Sequence, residues 1–218
     1  MAIIALVRHG ENDWVKKHRL AGWIPGVHLN ENGHKQAAAA AERLAALPLK
    51  ALYSSPVTRC METAVYIAQT HHLDIVEIEE LGEVRYGKWE GKKIEKLAKK
   101  KAWHAVQHFP SRFRFPEGES LHEVQFRAVQ ALETLNHQHP KELIAVVSHA
   151  DLIKMVLAHY LGVHLDLFQR IVISPASISI IALGENGGVQ IVRLNDTGPL
   201  QFPAAPHEKK QQGHDEEE

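Results

Sequence analysis

The chain reads as an α/β domain of three layers, a largely parallel sheet with helices on both faces, and three observations predict it. Two apolar runs, Ala2-Ile3-Ile4-Ala5-Leu6-Val7 and Leu143-Ile144-Ala145-Val146-Val147, show no polar alternation, which marks strands buried on both faces. Strand-like stretches alternate with amphipathic helical ones as far as Leu161, the pattern of parallel βαβ units. Two final strand-like stretches, 176–183 and 188–194, flank Gly184-Glu185-Asn186-Gly187-Gly188 and predict a closing hairpin with antiparallel edges. No repeat or linker divides the chain, so residues 1–198 are read as one domain followed by a tail.

After the first strand, residues 11–30 lack periodicity and hold Gly22, Pro25 and Gly26, which predicts a long loop over the sheet edge. Long loops inside compact domains usually carry function. Asn30 is placed to cap a helix through the alanine-rich 31–46 segment, which ends before Pro48. Leu49 to Tyr53 is a second strand, broken by Ser54-Ser55-Pro56, and a helix at 57–70 follows with Arg59 in its first turn. Leu73 to Glu80 alternates Ile75, Val76 and Ile78 with acidic residues, a strand that leads to Leu81-Gly82-Glu83. The turn-rich stretch 84–91 precedes a helix over 92–108, with Ile94, Leu97, Ala98, Ala102 and Val106 on one side and solvated lysines on the other. Residues 109–118 form a connector, and 119–137 a second amphipathic helix through Leu121, Val124, Val129, Leu132 and Leu135. The strand at 143–147 runs into Ser148-His149-Ala150-Asp151 and then a helix through Leu161. From Pro199 the chain is proline-rich and then acidic, so 199–218 is expected to be disordered.

A chain of 218 residues with 44% hydrophobic content can bury a sizeable core. Its net charge of −1 offers no global basic field to nucleic acid or an anionic membrane, so any bound anion has to be met by a local cluster. The single cysteine, Cys60, excludes an intrachain disulfide, suits a reducing compartment and reads as a small buried helix residue. The N-terminal apolar run is too short for a membrane span and lacks a basic flank, so a cytoplasmic protein is expected. Sixteen histidines raise the question of a metal, yet only His104 and His108 share an i, i+4 spacing. Without a Glu after the first or a third ligand they read as a solvated helix face, and no metal or cofactor is expected. An edge strand could pair across a homodimer, though nothing in the sequence demands it.

Four polar features fall at equivalent places, just past the ends of strands: Arg8-His9, Arg59, Glu83 and His149. Active sites of open α/β sheets lie at the carboxyl ends of strands. Guanidinium forks and helix N-termini match phosphoryl oxygens, so this pocket suits a phosphate. A neutral His9 can attack phosphorus, and a phosphohistidine divides a difficult transfer into two steps. Glu83 can protonate the leaving oxygen and later deprotonate water, and His149 can donate to a phosphoryl oxygen. Gly10 is expected to let a ligand approach the backbone. Gly22 and Ala150 are candidate substrate contacts beside these motifs. Arg19 and Arg85 are candidate substrate cations, with Arg112 and Arg114 as further charges that could equally be solvated. Tyr86 and Trp89 read chiefly as packing beneath Glu83.

Arg8-His9-Gly10-Glu11, Ser54-Ser55-Pro56-Val57-Thr58-Arg59, Leu81-Gly82-Glu83 with Tyr86-Gly87-Lys88-Trp89-Glu90-Gly91, and Val147-Ser148-His149 together resemble the histidine phosphatase superfamily, also called phosphoglycerate mutase-like. The similarity covers roughly residues 1–195 and takes in Gly22-Trp23 and Leu29 to Ala37. The resemblance implies that His9 accepts the phosphoryl group, that Arg8, Arg59 and His149 form the phosphate pocket, and that Glu83 is the acid/base; Asn12 stands where the family often has a Ser or Thr near the phosphate, and its amide could still donate. Pro25 to Leu29 and His164 to Arg170 are similar to a bacterial subgroup labelled probable phosphomutase or histidine phosphatase, which settles little about substrate. Phosphoglycerate mutases of the family carry an Asn where Val15 stands, a hydroxyl residue at Ala21 and a Gly at Ala150, along with a basic and aromatic lid. These departures favour a metal-independent phosphomonoesterase acting on a small phosphorylated metabolite over a 2,3-bisphosphoglycerate-dependent mutase. A non-catalytic phospho-ligand module is a third reading, but binding alone needs neither a nucleophile nor an acid. Loop 11–30, segment 88–120 and the region near Phe168 are where specificity is expected to reside, and none has a readable code.

Overall fold

Strands β1 (Ala2–Arg8), β2 (Leu49–Ser54), β3 (Ile75–Glu77), β4 (Leu143–Ser148), β5 (Ile178–Leu183) and β6 (Val189–Asp196) form one sheet in the order β3-β2-β4-β1-β5-β6. The computed structural model describes residues 1–184 and 187–198. The expectation of a disordered tail at 199–218 lies outside the described residues. Strands β3, β2, β4 and β1 are mutually parallel, while β5 and β6 run antiparallel, so the predicted hairpin supplies the antiparallel edge.

The two apolar runs are explained by burial on both faces. In β1, Ile4 and Leu6 face one hydrophobic cluster and Ala5 and Val7 the other, and β4 divides likewise into Ile144 and Val146 against Ala145 and Val147. A strand with a core on each side has no solvent face on which to place polar residues. Helix α1 (Asp13–Lys16) is a single turn inside the stretch read as loop, because the Asn12 side chain accepts from the Trp14 and Val15 N–H groups. Helices α2 (Glu31–Leu44) and α3 (Thr58–His71) cover the second cluster, through Ala41, Leu44, Cys60, Ala64 and Ile67. Asn30 caps α2 by accepting from Gly33 N–H, as its sequence position predicts.

On the opposite face the predicted helix over 92–108 is two helices, α4 (Ile94–Ala98) and α5 (Lys101–His108). Leu97 and Val106 are both buried, and a nine-residue spacing would set them on opposite sides of one straight helix. The extended backbone at Lys100 turns α5 so that both reach the core. Helices α6 (Leu121–Gln138) and α7 (Ala150–Tyr160) complete that face, with α6 opening on a capping box between Ser120 and Glu123. Strand β3 is shorter than the sequence suggests: the chain leaves the sheet after Glu77 and turns through a 3₁₀ segment, Glu79–Leu81, to bring Glu83 inward. Among the described residues no helix is long and apolar enough to cross a membrane.

Candidate active site

Register places the site. Arg8 pairs with Ser148 and Ser54 with Val147, so β1, β4 and β2 end at one level. The next residues are therefore neighbours: His9 N–H donates to Ser148 O (2.9 Å) and Ser55 N–H to Val147 O (2.9 Å). His9, His149 and the α3 residue Arg59 thereby converge, with the two imidazole centroids 5.3 Å apart. Glu83 arrives from the turn after β3, its carboxylate 3.8 Å from Arg59 and 3.7 Å from His149. All four are buried, Arg59 to 1% exposure and His149 to 0%.

Hydrogen bonds fix both tautomers. His9 Nδ1–H donates to the Gly10 carbonyl at 2.7 Å, which leaves the Nε2 lone pair to accept from Arg59 Nε at 3.2 Å. Burial, reinforced by the charges of Arg59 and Arg8, holds His9 well below the usual histidine range, so the ring is neutral. His149 has the opposite tautomer: Nε2–H donates to Ser55 Oγ at 2.8 Å, and Nδ1 accepts from Arg59 Nη2 at 3.0 Å. Burial, then Arg59 and His9, hold it well below the usual range too. Glu83 shifts the other way. Burial and the nearby Asp151 carboxylate push it up to about 7, against the lowering pull of Arg59. Its Oε1 accepts from Val84 N–H at 3.0 Å.

A cavity of about 340 Å³ opens over this group, lined by Arg8, His9, Asn12, Arg59, Glu83 and Ala150 among others. Three donors on those residues are buried without a partner: Arg8 Nε, Arg59 Nη1 and Asn12 Nδ2. Buried polar groups are seldom left unpaired, so three at one cavity point to an anion that accepts from all of them. The oxygen of Asn12 is committed to capping α1, and its amide nitrogen is buried without a partner beside the cavity. Ala150 stands in the first turn of α7, where the helix end carries partial positive charge.

Other expected contacts fall differently. Gly10 does not line the cavity; a Cβ there would lie 2.4 Å from the Gly33 carbonyl, so glycine is needed for the close approach of α2 and not of a ligand. Gly22 also stands outside the lining and acts through its carbonyl, which accepts from Arg59 Nη2 at 3.1 Å. Arg85 is turned away: its guanidinium stacks 4.0 Å over Trp23 and pairs with Glu79 at 2.6 Å. Arg19 lines the cavity, but its guanidinium bonds to the Gly91 carbonyl and lies over Trp14. His149 is wholly buried beneath Arg59 and outside the cavity lining, so it acts on Arg59 directly. Arg112 and Arg114 do not line the cavity, and Arg114 pairs with Glu123. Trp89 packs against Trp103, Phe113 and Phe115, whereas Tyr86 both lines the cavity and donates to Asp151 at 3.0 Å. Cys60 is buried against His149 with its thiol pushed up to about 12 by burial, an unreactive helix residue as expected.

Arg127 is a contributor that sequence reading passes over. From α6 it donates to the carbonyls of Glu80, Gly82 and Glu83 while pairing with Glu119, and Trp23 Nε1 holds the Glu83 carbonyl from the other side at 2.6 Å. Asp151, Lys154 and Gln169 also line the cavity. Asp151 alone had a signal, since it directly follows His149-Ala150.

The fold and this cavity define an α/β enzyme of the phosphatase class, with oxyanion donors set beside a neutral histidine. The chain belongs to the histidine phosphatase superfamily (branch 1), whose model matches residues 4–197. It is 32% identical over 199 residues to phosphoserine phosphatase 1 of Hydrogenobacter thermophilus, covering 90% of this chain and 93% of that protein. It is 35% identical over 199 residues to a metal-independent phosphoserine phosphatase of Arabidopsis thaliana, covering 88% and 76%. Against a 2,3-bisphosphoglycerate-dependent phosphoglycerate mutase of Thermoplasma acidophilum it is 29% identical over 182 residues, covering 83% and 87%. Among solved structures, Bacillus stearothermophilus YhfR superposes with a TM-score of 0.84 at 28% identity, over 90% of this chain and 98% of that one.

Proposed function

We propose that the protein is a metal-independent phosphomonoesterase that hydrolyses a small phosphorylated metabolite through a phosphohistidine on His9. The observation that carries the reading is the neutral His9 with its proton held on Nδ1 and its Nε2 lone pair beside Arg59, in a cavity where Arg8, Asn12 and Arg59 each keep an unpartnered donor. An incoming phosphoryl oxygen takes over the Arg59 N–H and frees Nε2 for attack. As the Nε2–P bond forms, the P–O bond to the leaving alcohol breaks, and protonated Glu83 gives its proton to the departing oxygen. Carboxylate Glu83 then takes a proton from water, the water oxygen bonds to phosphorus, and the Nε2–P bond breaks. One water is consumed, alcohol and inorganic phosphate are released, and both residues return to their starting states.

His149 supports this by accepting from Arg59 and so fixing the guanidinium that faces the phosphoryl group. Val15 and Ala21 give the cavity apolar walls where mutases of the family carry polar side chains, and segment 88–120 contributes Ile94 alone, with no cation for a second phosphate. Both favour hydrolysis over transfer.

The test is a phosphate-release screen over sugar phosphates, phosphoglycerates, nucleotides and phosphoserine, with and without 2,3-bisphosphoglycerate. Phosphoserine heads the panel because the relatives at 32% and 35% identity are phosphoserine phosphatases. The expected result is release that needs no bisphosphate, with an acid-labile phosphohistidine on quenched enzyme that His9→Ala lacks. Release from no ester, alongside fast bisphosphate-dependent transfer between phosphoglycerates, would overturn it.

A further inference from the structure

A second cavity of about 290 Å³ adjoins the first, and the two share Leu20, Tyr86, Ile94, Asp151, Lys154 and Gln169. The polar groups along this shared sill are bonded to one another. Tyr86 OH donates to Asp151 at 3.0 Å, and Lys154 Nζ donates to Asp151 at 3.4 Å and to Gln169 at 3.0 Å. Beyond the sill the wall is Val106, Phe115, Leu121, Phe168 and Trp103, and Gln107 supplies its one amide. Val106, Phe115, Leu121 and Phe168 are at most 6% exposed and belong to the main hydrophobic cluster.

This annex is large for a packing defect. An apolar void of roughly 150 Å³ stays dry and takes up a benzene ring. It also adjoins a site whose donors fix a phosphoryl group at Arg8 and Arg59, so the ester arm of a substrate held there has the sill and the annex beside it.

We propose that the annex binds the organic part of the substrate, which makes the preferred substrate class phosphomonoesters of apolar alkyl or aryl alcohols. The inference rests on the phosphatase reading above and narrows it. An alkyl or aryl group moved out of water into the annex is a gain that a short polar ester cannot match. Phosphoserine would bring an ammonium and a carboxylate to a wall that offers them few partners, because Asp151 and Lys154 already face each other.

The experiment is a series of n-alkyl phosphates from ethyl to hexyl assayed with the unmodified protein. Leaving-group basicity is nearly constant along the series, so the chemical step is held fixed and binding varies. The expected result is a kcat/KM that climbs by about fourfold per methylene until the annex is full, chiefly through KM. Val106→Phe, which fills the annex, is expected to bring the hexyl-to-ethyl ratio down toward one, with a thermal melt to verify that the variant is folded. A flat series in the unmodified protein, phosphoserine outcompeting hexyl phosphate, or an unchanged ratio in folded Val106→Phe each overturns the annex while leaving the phosphatase intact. No phosphate from any ester and no phosphohistidine overturns the phosphatase reading itself, and the annex proposal with it.

Discussion

In the proposed mechanism Glu83 is the residue whose protonation decides the chemistry, and its environment has opposite consequences for activity and stability. Burial and Asp151 raise it from an ordinary 4.5 to about 7, so near neutrality it can both give and take a proton. The same shift weakens the fold. Below pH 4.5 folded and unfolded chains both hold the proton; between 4.5 and 7 the unfolded chain releases it while the folded one retains it. Stability therefore falls across that window and stays reduced above it. Glu83→Gln removes the cost and is expected to stabilise the protein by on the order of 2 kcal/mol at pH 8, an advantage that fades toward pH 4.5. His9 and His149, held below their ordinary value, lose stability as pH falls instead. The variant should lose about 10²–10⁴ in kcat/KM on an alkyl phosphate. It should lose far less on p-nitrophenyl phosphate, whose leaving group departs without a proton. Denaturant melts at pH 5 and 8, with both substrates assayed, separate the two roles: a variant less stable at both pH values and equally slow on both esters would make Glu83 structural.

At the scale of elements, strand ends deliver His9 and His149 and the first turn of α3 delivers Arg59, whereas Glu83 depends on a turn held from outside. Arg127 is that hold, with its guanidinium on the turn carbonyls of Glu80, Gly82 and Glu83 and two bonds to Glu119. Arg127→Ala is expected to cost about 2–4 kcal/mol, since it removes several charge-assisted bonds from a partly buried group. It should also lower kcat more than it raises KM and shift the basic limb of the pH profile, because Glu83 is no longer fixed against Asp151. A variant that is destabilised yet keeps its pH profile would show that Arg127 supports the fold alone. Why this residue escaped sequence reading is physical: it sits on the polar side of an amphipathic helix, where an arginine normally means solvent, and its partners are backbone carbonyls that no side-chain pattern records. The central strands were legible for the opposite reason, since burial on both faces writes an unbroken apolar run into Ala2–Val7 and Leu143–Val147. The split of 92–108 was not, because Ile94, Leu97, Ala102 and Val106 approximate a helical stripe until the half-turn mismatch between Leu97 and Val106 is counted. Gly10 was misread in a similar way, as its constraint comes from Gly33, a residue brought near only by the tertiary fold.

For the molecule as a whole, a net charge of −1 means that no long-range field gathers anions, so in the proposed site affinity for phosphate has to come from the unpaired donors of Arg8, Asn12 and Arg59. Those donors are left unsatisfied by a fold that brings together ends from three parallel strands, and each unpaired buried donor costs stability that an oxyanion restores. Binding to the folded state alone stabilises by RT ln(1 + [L]/Kd), about 2.7 kcal/mol at a hundredfold excess over Kd. For a chain of this size that corresponds to a rise of roughly 5–10 °C in Tm. Inorganic phosphate or orthovanadate is therefore expected to raise the Tm by that amount at saturation. The rise should survive moderate salt, because the contacts are buried and screened little. Arg59→Ala should abolish it, while Arg85→Ala, on the far side of Trp23, should leave it in place. An equal rise in all three proteins would mean that the anion acts on the general surface, and no rise in the parent would mean that the cavity over His9 is not an oxyanion site.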